Sequence, residues 1–161
     1  MERMTEHQWQ DQKGSSFVNC IDLIDGTLFP LDFAPMVNGE DYYTRKGDYA
    51  IKGLVICDDA ERITWVEMGR PGSVHDNCIW ANSEIYLSKD KYFEPNGYLI
   101  GDSAFSTSAV MIPAFKKGHN RNLSEEQRYF NSKLLQRSRS NLNILLGYSR
   151  HGFSICKVFG G

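Results

Sequence analysis

YAIKGLVICDDAERITWVEMG, residues 49–69, is the stretch from which the architecture follows. Two runs rich in β-branched and apolar residues, YAIKGLVIC and RITWVEMG, flank Asp58, Asp59, Ala60 and Glu61, a spacing that predicts an antiparallel hairpin. Upstream, FVNCIDLIDGTLFPL (17–31) places turn residues between short apolar runs and reads as strand, turn, strand. Downstream, SVHDNCIWANSEIYLSK (73–89) sets Ile79, Trp80, Ile85 and Leu87 loosely at helical spacing. Pro95-Asn96-Gly97 then turns the chain into YLIGD (98–102), the pattern of a buried strand ending in Gly101-Asp102. Ser124-Glu125-Glu126-Gln127 is a capping box that opens a late helix through Phe130 and Leu134. Strands therefore come first, and a helix closes the domain.

Composition narrows the class. With 161 residues, 41% hydrophobic and 24% charged, the chain has the length of one domain and is too rich in core-formers to be disordered. Residues 1–16 lack apolar periodicity and read as an unstructured leader, followed by a domain over 17–135. No run reaches the 18 or so apolar residues of a membrane span, and MERMTEHQWQDQKG has no apolar signal core, so the reading excludes a membrane partner. Cys20, Cys57, Cys78 and Cys156 form no C-x-x-C pair, which argues against a zinc knuckle or a disulfide framework and fits a reducing compartment. Charge is unevenly spread: residues 1–80 carry 7 basic against 14 acidic side chains, residues 81–161 carry 11 against 6. Such asymmetry suits an acidic metal cleft beside a basic nucleic-acid surface, and equally a solvated surface.

Two acids stand out. Asp25 interrupts an apolar run in LIDGT and Asp102 ends the run YLIGDS, so both read as acids at strand ends. Taken singly, each can cap its own turn, before Gly26 or Ser103. Taken together they suit a hard cation, because Mg²⁺ and Mn²⁺ prefer oxygen ligands and take only one or two carboxylates from a protein. A pair of such ions activates a nucleophile and stabilises the leaving oxygen of a phosphodiester, which makes phosphodiester cleavage the sharp expectation. In RPGSVHDN (70–77), His75 and Asp76 form a further candidate for metal, with helix capping by Ser73 and Asp76 as the alternative. Arg45 and Lys46 beside Tyr42 and Tyr43 can hold phosphate, or simply form a loop. No G-x-S-x-G elbow and no G-x-x-x-x-G-K-[ST] loop is present.

The ordered series IDGT (24–27), YTRKGDYAIKGLVICD (43–58), GRPGSVHDN (69–77) and GYLIGDSAF (97–105) resembles the DDE-superfamily endonuclease domain of PIF/Harbinger-type transposases and the nucleases derived from them. The resemblance covers roughly residues 17–135. It implies an α/β fold, an RNase H-like mixed sheet with flanking helices. It further implies divalent-metal-dependent hydrolysis and strand transfer of DNA, with Mg²⁺ or Mn²⁺ as cofactor. Carried over by position, Asp25 and Asp102 are catalytic metal ligands, and Asp76 matches a motif residue at the metal. A nuclear location follows from the DNA substrate.

Two features depart from that pattern. The family completes its acidic triad with a Glu on a late helix, in a stretch like S-E-H-x-I-G-x-L-K-x-R-F. SNLNILLG (140–147) puts Asn143 at its approximate place. Reading the codons after about Leu134 in another frame permits the family stretch, so residues 136–161 are expected to be a degenerate, frame-shifted tail. If no single-base shift in the coding DNA restores the stretch, that expectation fails. Family members also carry a helical DNA-binding region before the nuclease domain, where this chain has about 16 residues. Recognition of DNA ends is then expected to fall to a separate DNA-binding partner protein, and impaired catalysis or a non-catalytic binding module is the alternative to a working enzyme.

Overall fold

The computed structural model describes residues 17–58, 62–118 and 122–135. Leader residues 1–16, Asn143 and the tail over 136–161 lie outside them. Strand β1 (Cys20–Pro30) is central: β2 (Ala50–Cys57) pairs antiparallel on one side and β4 (Tyr98–Gly101) pairs parallel on the other. β3 (Ile63–Pro71) and β5 (Met111–Pro113) add the edges, giving a five-stranded mixed sheet in the order β3-β2-β1-β4-β5. With helices on its faces this is the RNase H-like α/β arrangement.

The predicted hairpin is β2 and β3, in register from Ile51↔Pro71 to Cys57↔Ile63. Burial explains its two halves. In β2, Leu54, Val55, Ile56 and Cys57 are all buried, as an apolar run in an interior strand must be. β3 is largely exposed, and two register shifts interrupt its ladder, one beside Gly69 at φ +104°. Such irregularities blunt an edge that could otherwise recruit another strand.

One expectation is corrected. Residues 17–31 do not form strand, turn, strand; β1 runs unbroken for 11 residues. Asp25-Gly26 has the composition of a turn, but Asp25 is paired with Val55 and Gly26 with Leu54. A ladder formed on β2 outweighs a local turn preference, because strand pairing is decided by neighbours more than by intrinsic propensity. Asp25 is therefore mid-strand, while Asp102 directly follows the last residue of β4.

Each face of the sheet has its own core. On the first, Ile24, Leu54, Ile56 and Leu99 pack under α1 (Asp76–Ala81) and α2 (Glu84–Leu87), which contribute Ile79, Trp80 and Ile85. The helical expectation for residues 73–89 holds in pieces. The chain breaks after Asn82, where the Ser83 hydroxyl donates to Trp80 O (2.7 Å) and accepts from the Tyr86 N–H (3.2 Å), starting α2 afresh. Leu87 is exposed, contrary to its place in the apolar pattern. A further turn, α3 (Lys89–Tyr92), leads to β4.

On the second face, Leu23, Tyr98 and Ile100 pack under α4, the helix over residues 125–135, through Phe130 and Leu134. The capping box forms as expected: Ser124 Oγ accepts the Gln127 N–H at 3.2 Å and Gln127 Oε1 accepts the Ser124 N–H at 3.0 Å. Phe130 stands edge-on to both Phe17 and Phe115, with ring centroids 5.5 and 5.3 Å away. Asn131 grips the Phe115 backbone at both ends, accepting from its N–H and donating to its carbonyl, each at 2.9 Å. These contacts fix α4 against this face of the sheet.

Candidate active site

Side chains alternate between faces along a strand. Leu23 pairs with Ile100 and Ile24 with Gly101, so one step further along this register Asp25 stands beside Asp102. Neighbouring strands lie about 4.8 Å apart. Both carboxylates therefore project from the same face, and both line a cleft of about 420 Å³ beneath α4. Leu134, Leu135 and Phe115 form its apolar wall, and no Lys or Arg is among the described residues that line it.

One oxygen of each carboxylate is occupied locally. Asp25 Oδ1 accepts the N–H of Gly26 at 2.9 Å, and Asp102 Oδ1 accepts the N–H of Ala104 at 2.7 Å. The turn-capping alternative is thus correct for one oxygen of Asp102, and Asp25 has a comparable backbone bond from inside a strand. Among the described residues the second oxygen of each accepts no hydrogen bond, so both carboxylates are oriented yet keep an oxygen for a ligand. Burial raises Asp25 from 3.8 to about 6; the charge of Asp102 adds to the rise, the Gly26 N–H opposes it, and Asp76 contributes least. Two neighbouring acids, one of them desolvated and neither faced by a cationic side chain among the described residues, form a site that a divalent cation fits.

Cys57 also opens on the cleft, but burial, reinforced by Asp22, Asp58 and Asp25, pushes its thiol up to about 11. It stays protonated at neutral pH and is a poor nucleophile.

Asp76 lies elsewhere. As the first residue of α1 it approaches Gly26 from the opposite face, its Cγ and Oδ2 only 2.6 and 2.8 Å from where a Gly26 Cβ would stand. Its Oδ1 is 2.9 Å from Lys52 Nζ. That ion pair lacks hydrogen-bond geometry, and Lys52 Nζ donates instead to Val74 O at 2.8 Å. Neither Ser73 nor Asp76 caps α1, whose N-cap position is His75 without a side-chain bond. Among the described residues no group of three or more His, Cys, Asp or Glu gathers to hold a metal. Arg45 and Lys46 belong to a tight loop in which Thr44 Oγ1 accepts the Lys46 N–H and Tyr43 packs on Tyr49.

The sequence model of the DDE superfamily endonucleases matches residues 24–156. The chain belongs to this family. DDE superfamily endonucleases generally use divalent metals. The match includes Asp25, Asp76 and Asp102, and it continues past α4 through Asn143. Among curated proteins, this DDE endonuclease is 27% identical over 108 residues to the "Putative nuclease HARBI1" of Xenopus laevis, covering 63% of the chain and 31% of that protein. The rat and human proteins of the same name are 31% and 29% identical over 72 residues, covering 45% of the chain and 21% of each relative. The chain thus spans about a third or less of the length of the curated relatives it matches. No solved structure matches it. Among the described residues no helix is long and apolar enough to cross a membrane.

Lys52 is the residue that reading the sequence passed over. A lysine inside the apolar run AIKGLVIC was the available signal, since a charge in an interior strand is retained only with a partner.

Proposed function

We propose that this DDE endonuclease domain cleaves and transfers DNA strands in a divalent-metal-dependent reaction, with Asp25 and Asp102 as the ligands of Mg²⁺ or Mn²⁺. The observation that carries the reading is the placement of Asp25, in β1, beside Asp102, directly after the parallel neighbour β4, in one cleft with no cationic side chain of the described residues lining it. When bound, divalent ions would activate water or a DNA 3′-hydroxyl for attack on the phosphate and stabilise the departing oxygen. The chain's own contribution is placement. The backbone N–H groups of Gly26 and Ala104 hold the two carboxylates by one oxygen each, and the apolar wall from α4 limits water around Asp25. Asp25 must be ionised to bind a cation, so binding weakens as pH falls through about 6.

Catalysis is expected to be weak, because Asn143 stands at the approximate place of the third acid. A unit charge at about 4 Å is worth up to about 4 kcal/mol at an effective dielectric near 20. That is a ceiling of about three decades in metal affinity. This same substitution favours the second reading, a non-catalytic module that keeps the fold to bind DNA or a separate DNA-binding protein, in the nucleus.

Mn²⁺-dependent nicking of supercoiled plasmid separates the two readings. Compared are the chain itself, a version carrying the S-E-H-x-I-G stretch in place of residues 142–147, and that version with Asp102→Ala. The restored version should nick faster than the chain, and Asp102→Ala should abolish the gain. A restored version that is folded and binds Mn²⁺ yet does not cut refutes the enzymatic reading.

A further inference from the structure

The Gly26 peptide is held from both sides of the sheet. In front, its N–H is taken by Asp25 Oδ1; behind, the Asp76 carboxylate fills the space that a side chain at this position would need. Lys52 lies on that rear face, since it pairs with Leu28, two residues along β1 from Gly26. Its Nζ sits 2.9 Å from Asp76 Oδ1, an oxygen buried without a hydrogen bond, and both side chains are largely shielded from water. Val74 O takes one Nζ proton and so anchors the lysine to the segment just before α1.

We propose that the buried Lys52–Asp76 pair clamps the back of Gly26 and thereby sets the Asp25 carboxylate facing the cleft, making Asp76 a positioning residue. The proposal rests on the reading of Asp25 as the ligand-bearing acid, and it assigns to Asp76 a role other than metal ligation. Geometry argues for this division. The Asp76 carboxylate and the cleft are on opposite faces of β1, and Asp76 already has a counter-charge, whereas Asp25 and Asp102 have none among the described residues lining the cleft. A peptide held rigidly from behind keeps the Gly26 N–H aimed at Asp25; without the clamp that bond is free to open.

The test uses the full chain without metal and reads the Gly26 amide by ¹⁵N-resolved hydrogen exchange, with the Val55 amide as internal reference for overall stability. Lys52→Met leaves the Asp76 charge uncompensated and should speed Gly26 exchange at least tenfold relative to Val55. Lys52→Met with Asp76→Asn, neutral and of nearly native shape, should bring the ratio back to within threefold of the wild type. An unchanged ratio in Lys52→Met, or a double variant no closer to wild type, overturns the proposal. Should Lys52→Met not fold, Asp76→Asn alone must show the same loss of Gly26 protection, and its absence is equally fatal. Titration with Mn²⁺ supplies the second arm. Asp25→Asn should lose more than tenfold in affinity and Asp76→Asn less than tenfold; equal losses make Asp76 a ligand and refute the positioning role. A wild-type chain that binds no Mn²⁺ defeats the proposed metal site but leaves the amide test decisive for the clamp.

Discussion

Replacing Asp25 by Asn should stabilise the metal-free protein at neutral pH. In the folded chain the Asp25 carboxyl titrates at about 6 rather than 3.8, chiefly because it is buried and secondarily because Asp102 stands beside it. A carboxyl that holds its proton more tightly when folded favours the folded state below pH 4. That advantage disappears as pH rises to about 6, so stability falls between these values and is level above them. Two units at 1.36 kcal/mol each give an upper value of about 3 kcal/mol. Asn keeps the oxygen that accepts the Gly26 N–H and removes the charge, so the variant escapes the cost. Thermal unfolding followed by circular dichroism in EDTA, at steps from pH 3.5 to 7.5, reads the difference directly. At pH 3.5 the two proteins should melt together. At pH 7.5 Asp25→Asn should melt higher by up to about 6–12 °C, at about 2–4 °C per kcal/mol for a domain of this size. If the variant is no more stable at pH 7.5, or if the gap between the proteins does not open between pH 4 and 6, the burial argument for this site is wrong.

Asp102→Asn should lower the Asp25 pKa from about 6 while leaving it above its ordinary value, because burial, the larger cause, remains; ¹³C NMR of the carboxyl group measures it. Phe130→Ala removes a buried ring stacked edge-on against Phe17 and Phe115 and should cost about 3–5 kcal/mol in urea unfolding. Gly101→Ala would place a Cβ 2.6 Å from Phe105 Cδ2 and 3.0 Å from Ile24 Cγ2, so overpacking should cost about 1–3 kcal/mol by the same assay. Ser124→Ala deletes the oxygen that accepts the Gln127 N–H and should cost about 1 kcal/mol, seen as a lower melting temperature.

Local chemistry was enough to read the hairpin over 49–69, the buried strand YLIGD and the capped late helix, because each is specified by neighbours within a few residues. A hairpin needs only two β-rich runs and a short connection; a capping box needs only Ser124 and Gln127 at the right spacing. The ordered motifs also carried the family and the two candidate acids. Three other features depend on contacts distant in sequence. Asp25-Gly26 looks like a turn until β2 pairs across it. Asp76 reads as a helix cap or a metal ligand, and only the packing of α1 on the rear of β1 shows that it does not cap α1 and stands beside Lys52, 24 positions earlier in the chain. Lys52 itself has no meaning inside AIKGLVIC without that partner.

Sequence by itself determined which residues can be strands and helices, and which acids interrupt apolar runs, since those properties reside in single side chains and their spacing. Tertiary structure alone decided that Asp25 and Asp102 share a face while Asp76 lies behind it. The parallel register of β1 with β4 sets the first, and the packing of α1 sets the second. A one-residue slip in that register would send Asp102 to the other side of the sheet, because side chains alternate with a period of two.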